Sequence, residues 1–162
     1  MSAGTVIVNG PTNNGNGPLD YLGTFNITGG FLVAVGSAGM AQAPSASSTQ
    51  YSVMQNLTSQ QAAGAIVHIA TASGAEVLTF MPTKAYQSIL FSSPELTNGE
   101  TYTLYIGGSA SGAATDGLYS GGTYTAGSQV TSFTISSIVT GATGGGFGMP
   151  GGGMRPGGGR RP

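Results

Sequence analysis

Short stretches of alternating apolar and polar residues, divided by Gly-, Asn- and Pro-rich turns, run through most of this chain. That period of two predicts strands rather than helices, and no segment predicts a helix with any force. The clearest stretch is Gly4-Thr-Val-Ile-Val-Asn-Gly10, whose β-branched run favours an extended backbone. It is echoed by Gly23-Thr-Phe-Asn-Ile-Thr-Gly29, which continues into Gly30-Phe-Leu-Val-Ala-Val-Gly36. Aligned on their Gly-Thr pairs, Val6 falls on Phe25, Val8 on Ile27 and Gly10 on Gly29. Like residues stacked on like residues predict the coils of a parallel β-solenoid. Pro11-Thr-Asn-Asn-Gly-Asn-Gly-Pro18, between the copies, has the composition of a turn.

The repeat breaks at Gly36–Pro44, and Ser45–Gln50 reads as a small polar linker. From Tyr51 onward the pattern predicts antiparallel strands. Candidates are 51–57, 65–70 with its hairpin partner 75–80, then 84–91, 101–106, 122–127 and 130–139, while Thr58–Gly64 reads as a polar turn or brief helix. The segment from Gly141 is Gly-, Pro- and Arg-rich, a composition that cannot bury a core and predicts a flexible tail. The expected fold is all-β. Terminal coils of a parallel β-solenoid (1–44) pack with a small antiparallel β-sandwich or cap module (45–140), and a tail (141–162) follows.

Charge is sparse: 5 acids against 4 bases in 162 residues, a net −1. Three of the bases, Arg155, Arg160 and Arg161, lie in the tail, so the body is nearly free of cations. Nucleic-acid binding needs clustered Lys and Arg and is not expected. There is no Cys, hence neither a disulfide framework nor a thiolate metal site. Phe31–Val35 is apolar but far too short to span a bilayer. Solubility resting on Ser, Thr, Asn and Gln suits a bacterial extracellular or cell-surface protein. The first residues show neither a basic nor an apolar leader segment, so the chain reads as a mature form or a fragment with an added start Met.

Candidate chemistry is thin. His68, the only histidine, alternates with apolar neighbours in Ile66-Val-His-Ile-Ala70 and is expected to face solvent on a strand. Glycoside hydrolysis needs paired carboxylates, and Asp20 with Asp116 is the pair that could meet in space. Both stand beside Gly or Tyr at turns, where Asp caps backbone, and no catalysis is expected. No Asp-rich calcium loop is present, so neither a metal site nor a cofactor is expected. Sugar binding asks for an aromatic platform flanked by amides or carboxylates. Trp is absent. The best remaining cluster is Asp116, Tyr119 and Tyr124 in a Gly-rich loop; the second is Asn13, Asn14, Asn16, Asp20 and Tyr21. The competing reading has these tyrosines locking sheet corners and these asparagines making turns.

Several motifs together resemble the C-terminal part of secreted bacterial proteins labelled "carbohydrate-binding domain-containing". They include Gly4-Thr-Val-Ile-Val-Asn-Gly-Pro-Thr12, Gly23-Thr-Phe-Asn-Ile-Thr-Gly-Gly30, Gly36-Ser-Ala-Gly-Met-Ala-Gln-Ala-Pro-Ser45, Thr101-Tyr-Thr-Leu-Tyr105 and Asp116-Gly-Leu-Tyr-Ser-Gly-Gly-Thr-Tyr124. The resemblance covers most of the chain before the tail. It implies an extracellular, non-enzymatic protein, a parallel β-helix followed by a small β module, with a polysaccharide as partner. The alternative expectation is a self-assembling structural subunit of a fibre or surface layer, whose partner is itself through the open coil end.

Overall fold

The computed structural model describes residues 1–141, and the segment from 142 onward, most of the expected tail, lies outside the described residues. The described chain is all-β, without helix, in several sheets of which none is closed. Its strands are β1 (Thr5–Asn9), β2 (Phe31–Gly36), β3 (Ser52–Gln61), β4 (Val67–Thr71), β5 (Glu76–Phe80), β6 (Tyr86–Ser92) and β7 (Thr101–Ile106). They continue with β8 (Ser109–Ala110), β9 (Ala113–Thr115), β10 (Leu118–Ser120), β11 (Tyr124–Thr125), β12 (Ser128–Thr134) and β13 (Val139–Gly141).

A first sheet has the order β1-β2-β6-β3-β13, a second the order β12-β7-β4-β5-β10-β9, and β11 with β8 forms a small hairpin sheet. The first is mixed. β1 runs parallel to β2, β2 and β3 each run antiparallel to β6, and β13 runs parallel to β3. This departs from the expectation of antiparallel strands throughout the region after Tyr51. Because β2 pairs with β6, one sheet crosses the boundary expected at residue 44.

The main core lies between the two sheets. Val33, Val35, Val53, Ile89 and Phe91 from the first meet Val67, Ile69, Phe80, Leu104 and Phe133 from the second. A smaller cluster covers the other face of the first sheet, where Leu32, Ala34, Met54 and Leu90 pack with Ile27 and Ala41 from non-strand segments. The uninterrupted apolar run of β2 follows from this, since a strand buried on both faces has no polar side to show. β7, by contrast, alternates half-buried and buried residues along its whole length.

The Gly-Thr echo is not the pairing the chain uses. In the parallel ladder Val6 sits opposite Leu32 and Val8 opposite Ala34, and Gly10 donates to the carbonyl of Val35. Residues 23–28 form no strand. Their backbone bonds instead to the expected linker: Phe25 N–H donates to Ser45 Oγ and Ile27 N–H to Ser48 Oγ, while Thr49 N–H donates to the Ile27 carbonyl. The small polar residues of 45–50 thus satisfy a segment that covers core, as buried backbone requires. Thr58–Gln61 continues β3 and forms no helix.

Candidate functional site

The outer face of the second sheet carries the densest chemistry. Val67 and Ile69 point into the main core, so the alternation of β4 sends His68 to the opposite face. There it sits between Thr79 of β5 and Tyr105 of β7 in the cross-strand register. It does not face solvent as expected, because only 6% of it is exposed. The Tyr124 ring covers it, stacked at 3.8 Å with planes 15° apart. Tyr124 is fixed in turn by its hydroxyl, which donates to the Gly107 carbonyl and accepts from Gly127 N–H, both at 3.0 Å.

Beneath this lid runs a short polar chain. Thr79 Oγ1 donates its one proton to the Glu76 carboxylate at 2.7 Å. The 2.8 Å contact between His68 Nδ1 and Thr79 Oγ1 must then have the imidazole as donor. His68 is held as the neutral Nδ1–H tautomer. Burial pushes its pKa below the ordinary imidazole value, and Glu76, 3.9 Å from Nδ1, opposes that in part. Burial, with Tyr124 adding to it, also drives Tyr86 above the ordinary phenol range.

His68 and Glu76 line a shallow cleft of about 380 Å³ together with Tyr105, Thr123 and Tyr124. Beside it the face continues as hydroxyl pairs between β7 and β12, Thr101 with Thr134 at 2.8 Å and Thr103 with Ser132 at 3.1 Å.

The expected sugar cluster does not gather. Tyr124 lines the cleft just described, Tyr119 lines a second one beside Glu95 and Phe31, and Asp116 lines a third. Asp116 and Gly117 both have positive φ, +50° and +85°, in the two-residue turn between β9 and β10. A type I′ hairpin favours Asp-Gly for that reason, so Asp116 is first a turn residue. Its cleft, about 690 Å³, is lined by Ile7 and Leu118 together with Thr5, Asn9, Thr83 and Ser120; Asp20 is not among its lining residues. Asp20 is exposed. In the other expected cluster, the side-chain oxygens of Asn13 and Asn16 accept from Gly15 and Gly17 N–H, as turn asparagines do. Asn14 is exposed, and its backbone lies against Gly39, where a Cβ would come within 2.5 Å. Tyr21 donates its hydroxyl to the Ala43 carbonyl and anchors the loop.

Sequence reasoning missed Glu76, Thr79 and Tyr105 as companions of His68. The available signal was the outward parity of three strands, which places 68, 79 and 105 in one row once the strand order is known.

These features define an all-β protein of open, facing sheets with polar clefts on and between them. Comparison of the chain with protein-family models, with curated proteins and with solved structures found no match.

Proposed function

We propose that this is a non-enzymatic module of an extracellular surface or matrix, and that it binds carbohydrate in the cleft between Tyr105, Tyr124 and Glu76. The observation that carries this reading is the juxtaposition of two aromatic rings, 6.5 Å apart and inclined at 60°, with a carboxylate at the mouth of one shallow cleft. A tyrosine ring takes the C–H face of a sugar, and a carboxylate with a nearby threonine hydroxyl fixes its hydroxyl groups. Glu76 is 38% exposed and can accept further hydrogen bonds. The resemblance to secreted carbohydrate-binding β-helix proteins points the same way.

The geometry favours binding over catalysis. The cleft holds one carboxylate, and glycoside hydrolysis needs two across the scissile bond. His68 spends its Nδ1 on Thr79 and its ring face on Tyr124, and the Thr79 hydroxyl is buried and gives its proton to Glu76, out of reach of a substrate. The parallel pairing of β1 and β2 supports reading residues 1–44 as the end coil of a solenoid packed with the sheets that follow.

A glycan array followed by calorimetry tests the reading. Tyr105→Ala and Glu76→Gln should each weaken binding about tenfold or more, the loss of one good contact in a small site. Absence of binding to any surface polysaccharide, or affinity unchanged in both variants, overturns it.

A further inference from the structure

The first sheet ends in two strands that run the same way. β1 is parallel to β2, two antiparallel steps lead through β6 to β3, and β13 is parallel to β3. Among the described residues no strand pairs with the outer side of β1 or of β13. Natural sheet edges are usually guarded by Lys, Pro, an inward charge or a bulge. Thr5-Val-Ile-Val-Asn9 and Val139-Thr-Gly141 carry no charge, no Pro and no bulge. The outer edge of the second sheet differs, because β12 is bulged between Gln129 and Thr131.

The ladder identifies the free groups. Gly4 carbonyl and Gly10 N–H face β2, so Val6 and Val8 also bond inward, and Thr5, Ile7 and Asn9 turn their N–H and C=O outward. Ser52 N–H donates to the Ile138 carbonyl, which likewise turns Val139 outward on β13. Next to β1 the Ile7–Leu118 cleft leaves room for side chains of an added strand.

We propose that copies of this chain join edge to edge, β1 of one accepting β13 of the next in a parallel pair. This is independent of carbohydrate binding, which uses the outer face of the other sheet. A second copy is the favoured occupant because the two edges match in direction, so simple translation with twist continues the sheet. The net charge of −1 sets little repulsion between copies. The contact is heterologous and does not close on itself, which leads to an open-ended filament. With β13 only three residues long, association is reversible and depends on concentration.

Light scattering and negative-stain electron microscopy of the full chain test this across concentration, with circular dichroism confirming the fold. The wild type should form particles that lengthen with concentration. Val6→Lys and Val139→Lys should each hold the chain as a monomer. Mixed in equal amounts they should form a two-copy species and nothing larger, because each supplies the edge the other lacks. Thr5→Pro, which removes an outward N–H from an exposed residue, stands in for Val6→Lys if that variant fails to fold. A wild type that is monomeric up to its solubility limit overturns the proposal. So does normal assembly by Val139→Lys, or a mixture that stays monomeric.

Discussion

The two large sheets treat their outer faces in opposite ways. The first is covered by non-strand chain, with Ile27 and Ala41 buried over Leu32, Met54 and Leu90. The second leaves a row of threonines, a tyrosine and a carboxylate uncovered, and closes over His68 with a single ring, with Thr79 buried beside it. Apolar area removed from water stabilises the fold at about 25 cal/mol per Å². The first sheet collects that stabilisation on both faces, while the second collects it mainly on its inner face. The exposed face can therefore change at little cost to folding, and it is where the candidate site lies.

Substitutions should expose the contrast. Leu90→Ala, under the covering segments of the first sheet, should cost about 2–5 kcal/mol in denaturant unfolding, because a buried leucine is lost and the site cannot collapse fully. Tyr124→Ala should cost about 1–3 kcal/mol, since it strips the ring from His68 and leaves the Gly107 carbonyl and Gly127 N–H without their partner. The same variant should raise the His68 pKa, measured by NMR titration, as burial is relieved.

His68 also predicts a pH dependence. Its folded pKa lies below its unfolded value near 6.5, so the unfolded state binds the proton first on acidification. The stability due to the neutral imidazole is complete above that value and is lost as pH falls from about 6.5 through the folded pKa, by at most about 1.4 kcal/mol per pH unit. His68→Gln should flatten that limb of the curve. At the small end, Thr103→Ala on the open face should change stability by no more than about 0.5 kcal/mol. A cost as large as that of Leu90→Ala would mean this face is covered in solution.

Local pattern made the strands legible. Thr101–Ile106 alternates and is a strand over those residues. The hairpin around Thr71–Gly74 follows from its turn, where Gly74 N–H donates to the Thr71 carbonyl. Partners were less legible, because similar strings do not have to pair. The Gly23 copy has the spacing of the Gly4 copy, yet the run Phe31–Gly36 is more apolar and takes the parallel place beside β1. The site was legible only in part. Tyr124 stood out, but what it covers is decided by a hairpin that returns over β4 from far along the chain. The alternation of His68 with apolar neighbours gave its face correctly and could not show that the face would be covered there.

The shared direction of β1 and β13 has a mechanical consequence. Traction applied between Thr5 and Gly141 pulls the start of one edge strand against the finish of the other, along the strand axes. The hydrogen bonds joining β1 to β2 and β3 to β13 then bear load together as a sheared seam, instead of opening one after another like a zip. A module held at those two residues resists being drawn out along its strands.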